Sequence, residues 1–259
     1  MVTRPLAAPI CRCNIPAERC ARWRATGGER VIVSDLLLLG LLVGLFVVSH
    51  ELLSHPLRAP LVARIGEKGF AILYSLVALV SFGSAVQLWR EMPKERLWDT
   101  PAGAYLPVLI AMAVACMLFV GSVSAPNPAM MPGVKGDPKG MQRITRHPMM
   151  WSFAIWAGVH ILMTADPRTI VLAGGVGTLA LVGSAMQDGK KRSQNPSYAA
   201  HMARTSHVPF LAILTGRQPL SALWPGLVPV LGGLVLWGLI LWAHPMLIGV
   251  PAAGWSYLQ

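Results

Sequence analysis

Residues 33–53 read VSDLLLLGLLVGLFVVSHELL, an apolar run with Asp35 near one end and His50 and Glu51 near the other. The run is continuous and does not alternate in polarity, which points to a helix and not to a barrel strand. At ~1.5 Å per residue, about 20 residues cover the ~30 Å hydrocarbon layer of a bilayer. Within that layer each backbone polar group must be satisfied internally, so a helix is the remaining solution. The stretch therefore predicts a membrane-crossing helix that carries an imidazole and a carboxylate into the bilayer. Ionisable groups there are costly and usually serve a function.

Five further apolar runs follow, at Gly69–Leu88, Tyr105–Ser124, Met149–Met163, Ile170–Met186 and Leu223–Ile248. The fourth is short for a span. The fourth and fifth are separated only by Thr164–Thr169 and predict a tight helical hairpin. The fifth run is rich in small residues (Ala173, Gly174, Gly175, Gly177, Ala180, Gly183), which let helix backbones approach closely. Charged residues make up only 13% of the chain, against about 25% in soluble domains. The expected architecture is an all-α polytopic membrane helix bundle of about six transmembrane helices, with the lipid bilayer as its first partner. The net charge of +11 does not make it a nucleic-acid binder. Its basic residues lie between apolar runs, where they orient a membrane protein and meet anionic lipid.

Loops 54–68, 125–148 and 187–221 hold Arg58, Arg64, Lys68, Lys135, Lys139, Arg143, Arg146, Lys190, Lys191, Arg192, Arg204 and Arg217. The intervening loops hold only Arg90, Lys94, Arg96 and Arg168. The positive-inside rule places the first set in the cytoplasm. Residues 1–31 carry six arginines (4, 12, 19, 22, 24 and 30), on the side this topology puts outside. Three readings of that tail stand: a disordered basic segment, a targeting segment, or residues upstream of a start near Val31 or Val33. Cys11, Cys13 and Cys20 lie in it without a matching second pair, and Cys116 lies inside the third run.

Seven histidines are the main carriers of potential chemistry. His50, with Glu51 beside it, and His160 lie within apolar runs. Each is either a hydrogen-bonded core residue or an axial ligand to haem iron, for which neutral imidazole is suited. Arg146-His147-Pro148 opens the fourth run, with proline suited to the first helical turn. The motif is either a plain helix start at the interface or a site for an anionic group beside the helix N-terminus. Gln187–Arg192 reads as a topology anchor. Tyr198, His201, Arg204, Thr205, His207 and Pro209 follow on a short helix and turn, and His244 belongs to the outer interface.

Five pieces are recognisable together: His50–Arg58 (HELLSHPLR), the stretch 61–76 with Gly66, Leu97-Trp98-Asp99, Arg143–Trp151 (RITRHPMMW), and Thr205–Phe210 (TSHVPF). They resemble the NnrU family of bacterial inner-membrane proteins, which is associated with denitrification and nitric oxide metabolism. On that resemblance residues 32–259 form one NnrU-like transmembrane domain of a multi-pass inner-membrane protein. The family is also similar to the plant 15-cis-zeta-carotene isomerase, a membrane haem b protein with histidine ligands. That similarity implies haem b held by His50 and His160, in a redox or isomerase-type role on a small hydrophobic or redox substrate. The isomerase has a cysteine three residues before its second ligand; this chain has Ala157 there, so that ligand switch does not transfer. A more distant similarity is to isoprenylcysteine carboxyl methyltransferases. It implies S-adenosylmethionine bound near Arg146, His147, Asp188 and Tyr198, although a Glu pair typical of those enzymes is absent. A non-enzymatic accessory role is the third expectation.

Geometry limits the haem expectation. His50 lies toward the cytoplasmic end of its run, and His160 lies 13 residues, or ~20 Å, into the fourth. The first helix must continue past Pro56, or the helices must tilt, for the two to share one iron. Otherwise His147 is the histidine nearer His50.

Overall fold

The computed structural model describes residues 29–131, 134, 136–250 and 252. Most of the basic tail, with its three cysteines, lies outside them. The described chain is all helical: α1 (Glu29–Ser54), α2 (Arg58–Glu91), α3 (Tyr105–Val123), α4 (Pro148–Thr164), α5 (Pro167–Thr178), α6 (Ser184–Gln194), α7 (Pro196–Arg204), α8 (Leu211–Leu214) and α9 (Leu227–Ile248). Five helical segments are long and apolar enough to cross a membrane: Val33–Ser54, Arg58–Glu91, Tyr105–Val123, Pro167–Gln194 and Leu220–Ile248. The 17-residue α4 is the shorter sixth.

Neighbouring helices follow the order α2, α1, α5, α4, α3, α9. Close approach depends on small residues, as expected for helices packing without a hydrophobic gain from lipid. A Cβ at Gly175 would stand 2.1 Å from Val43 Cγ1, and one at Gly233 would stand 2.5 Å from Met117 Cα. Gly174, from the same small-residue run as Gly175, has open space around it.

The α4–α5 turn is tighter than the apolar runs suggest. Ala165 adopts a left-handed conformation (φ 53°), and Asp166 caps α5 by accepting from Thr169 N at 2.9 Å. The buried Arg168 ties this turn to the end of α2, donating to the carbonyls of Trp89 and Met92. Leu97-Trp98-Asp99 docks on the same turn through Leu97 N to Ala165 O (2.7 Å) and Trp98 Nε1 to Leu162 O (3.1 Å).

Two boundaries differ from the apolar runs. Helix α2 begins at Arg58, eleven residues before Gly69, and bends at Gly66, whose φ of 72° and ψ of 170° suit glycine. At the other boundary, α5 runs through a π turn at Leu179–Gly183 into α6, so the charge run 187–192 is helical. Hydropathy marks where a helix leaves the hydrocarbon, not where its hydrogen bonds stop. Helix α1 ends at Ser54 and does not continue past Pro56.

Candidate functional site

The three basic segments meet at one end of the bundle. Residues Ile144–His147 run between a 3₁₀ turn (Gly140–Arg143) and α4, and they zip against residues 205–210. Arg146 N donates to Ser206 O (2.9 Å) and Phe210 N donates to Ile144 O (2.9 Å). The Thr145 hydroxyl (2.6 Å) and Trp151 indole (2.8 Å) both donate to His207 O. Phe210 takes a left-handed conformation (φ 66°) to make this turn. His147 stands at the N-cap of α4 with Pro148 in the first turn.

Into this corner α6 delivers Asp188. Its Oδ2 accepts from Arg146 Nε at 2.7 Å. Its Oδ1 accepts from His147 Nε2 at 2.8 Å and from the Tyr198 hydroxyl at 2.5 Å. Tyr198 is carried by α7, which Asn195 caps by accepting from Ser197 N. The four residues singled out for cofactor binding, Arg146, His147, Asp188 and Tyr198, thus converge on one carboxylate. Burial and the adjacent Asp188 push the Tyr198 hydroxyl far above its ordinary range, so it acts as a neutral donor.

Two histidines that the sequence did not mark as site residues complete the cluster. Ser184 Oγ can give its single proton to the π-turn carbonyls of Ala180 (2.6 Å) and Leu181 (3.0 Å). It is also bonded to His207 Nε2, 2.8 Å away, and accepts from that nitrogen whenever its own proton stays on a carbonyl. Burial, then the neighbouring His147, lowers the His207 pKa. His201 lies against the Tyr198 ring with both ring nitrogens buried and without hydrogen-bond partners. Burial, followed by Arg146 and Arg204, lowers its pKa to about 4. The signal for His207 was its place in the Thr205–Phe210 piece; the sequence placed His201 with Tyr198 on the short helix, without a role of its own.

Beside the network lies a cavity of about 1050 Å³. His147, Ser184 and Tyr198 line it from one side; His50, Glu51 and His55 line it from α1 and the turn that follows. Arg146 and Asp188 are not part of its wall. Phe46, Phe82 and Phe153 make an apolar region, and Arg58, Lys190 and Lys191 stand at the end near Ser54.

The model of the family described as NnrU protein matches residues 36–252, which include every residue of the network and of the cavity wall. The chain belongs to the NnrU family. Neither the curated proteins nor the solved structures return a match.

Within this NnrU domain the two proposed haem ligands sit apart. His50 Nδ1 lies 3.2 Å from Phe46 O, a carbonyl that can only accept. The proton therefore sits on Nδ1, and in the neutral ring Nε2 keeps its lone pair, on a side chain that lines the cavity. His160 is bonded in the same way to Trp156 O (2.8 Å), but it lies over the Trp156 ring and 6.5 Å from the His244 ring. It is not part of the cavity wall. His147, by contrast, shares that wall with His50.

Proposed function

We propose that this NnrU-family chain binds haem b inside the membrane, in the cavity between α1, α2 and the α5–α6 helix, where His50 would hold the iron, and that it has a redox role tied to nitrogen oxides. One observation carries the proposal: the His50 ring is fixed through Nδ1 and offers Nε2 on the wall of a cavity large enough for a cofactor. A second-nitrogen hydrogen bond of this kind is what orients imidazole ligands in metal proteins. Phe46, Phe82 and Phe153 suit an apolar macrocycle, and Arg58, Lys190 and Lys191 suit its propionates. Haem would supply one-electron chemistry; the chain supplies the ligand, the apolar walls and the basic end. His160 lies in a different part of the bundle, so the proposal uses one histidine. The basic end of the cavity faces the cytoplasm of a bacterial inner membrane by the positive-inside rule. Methyl transfer from S-adenosylmethionine needs Arg146 and Asp188 to face the cofactor; both are turned into the network, so that alternative is not favoured.

The test is a pyridine haemochrome spectrum of protein purified in detergent. Wild type shows a Soret band and stoichiometric haem, His50→Ala loses most of it, and His160→Ala keeps it. A wild type without haem, or His50→Ala with wild-type haem content, refutes the proposal.

A further inference from the structure

We propose that His147, Asp188 and His207 form a binding site for a divalent first-row transition-metal ion, with an open coordination position toward the cavity. The site uses none of the residues of the haem proposal and stands or falls separately from it. One nitrogen from each histidine and one oxygen of Asp188 lie within 4.8 Å of one another. Ligands about 2.0–2.2 Å from a tetrahedral ion are ~3.4 Å apart, so small side-chain rotations close the site. His147 and Asp188 are buried and His207 is half-buried.

The surroundings are those of a ligand set whose orientation is already fixed. Two imidazoles and one carboxylate is the donor set that binds such ions while leaving positions open. Two of the three donors, Asp188 and His207, are held by a further partner, as metal ligands usually are. Tyr198 and Arg146 anchor Asp188, Arg146 on the far oxygen Oδ2. Ser184 is bonded to Nε2 of His207, and with the His207 proton on that nitrogen Nδ1 is the lone-pair nitrogen. His147 Nε2 now gives its proton to Asp188; where the ion takes that proton's place, the neutral ring carries its proton on Nδ1 instead, exchanged through solvent. Of the three ligands His147 belongs to the cavity wall, beside Ser184 and Tyr198, so the open position is placed on the His147 side of the ion. Three protein ligands with one open position distinguish a reactive centre from a closed structural one.

The probe is Co(II), added to chelator-washed protein in detergent and followed by its visible d–d absorption, with equilibrium dialysis of Zn(II) for stoichiometry. Wild type is expected to bind one ion per chain. His207→Ala weakens binding by about 100-fold or more, and Ser184→Ala by about 10–100-fold, the range for loss of an orienting partner. The His207 side chain is hydrogen-bonded to Ser184 and packs against the His147 and Trp151 rings but makes no hydrogen bond to Asp188, so its variant keeps the Asp188 network; the melting temperature checks this. His50→Ala retains Co(II) binding while losing haem. The proposal is overturned by no stoichiometric Co(II) binding at millimolar concentration, by wild-type affinity in folded His207→Ala, or by loss of Co(II) in His50→Ala.

Discussion

Replacing Asp188 by asparagine keeps its shape and removes its charge. Its side chain is 7% exposed and that of Arg146 10%, so water replaces little of what is lost. The amide oxygen can still accept from His147 and Tyr198. The amide NH₂ then faces Arg146 Nε, donor against donor, at a position where the carboxylate accepts at 2.7 Å. Removing one partner of a buried ion pair costs about 3–5 kcal/mol, because the other charge remains buried. For a chain of this size each kcal/mol shifts the melting temperature by ~2–4 °C, which gives a fall of about 6–20 °C. The assay is thermal melting in detergent by tryptophan fluorescence, with size exclusion to exclude aggregation. The exposed Arg204–Asp137 pair supplies the control: Asp137→Asn leaves the melting temperature unchanged, as solvated pairs contribute little. The double variant Arg146→Met/Asp188→Leu melts above either single variant, since no charge is left unpaired. An Asp188→Asn protein melting within about 2 °C of wild type refutes the argument that this carboxylate holds the corner together.

Two further predictions use the same melting assay. His201 stays neutral in the fold down to about pH 4, whereas in the unfolded chain it takes a proton near 6.5. Arg146, Arg204 and His147 disfavour its charged form, and Asp188 favours it. The unfolded state therefore binds more protons below pH 6.5, and stability falls as pH drops, by about 3 kcal/mol once pH 4 is reached. His201→Leu removes that slope and is neutral or stabilising at pH 7, because neither ring nitrogen has a partner to lose; an identical pH slope in the variant counts against the assignment. Gly233→Ala forces a methyl to 2.5 Å from Met117 Cα and costs about 1–3 kcal/mol, whereas Gly238→Ala meets open space and costs little. Equal melting of the two variants would mean that α3 and α9 do not pack through Gly233.

The helices were legible because hydrocarbon admits few alternatives. The runs at 33–53 and 105–124 became α1 and α3 with boundaries close to the apolar edges. The α2 start and the α6 extension were not legible, since charged and apolar residues alike continue a helix once its ladder is running. The network was legible only as names. Arg146 and His147 stood out as a motif, but Asp188 sat in a charge run that read as an anchor. Which side of α6 it occupies depends on the π turn upstream, a feature that leaves no periodic mark in the residues. The bond between Ser184 and His207 has the same origin. The separation of His50 from His160 follows from helix order: α5 packs between α1 and α4, and no pattern along either helix reports that.

The polar groups at this end of the bundle divide into two kinds. Those around Asp188, His201 apart, satisfy one another, which holds residues 144–147, α6 and α7 in one arrangement. Those of the α1 wall do not. Glu51 Oε2 lies 3.3 Å from His55 Nδ1, but that nitrogen is bonded to the backbone carbonyl of Glu51 at 3.0 Å. Glu51 Oε2 and His55 Nε2 are therefore buried without hydrogen-bond partners, and both residues line the cavity. Gly183 of the π turn sits so close to them that a Cβ there would stand 2.6 Å from Glu51 Oε1. A buried, unbonded polar atom costs a kcal/mol or more, and π turns recur where function requires a local departure from the regular ladder. The satisfied network gives this corner its rigidity. The wall opposite, with Glu51 and His55, turns polar atoms that no other residue bonds toward a cavity, and these are the groups available to a molecule held there.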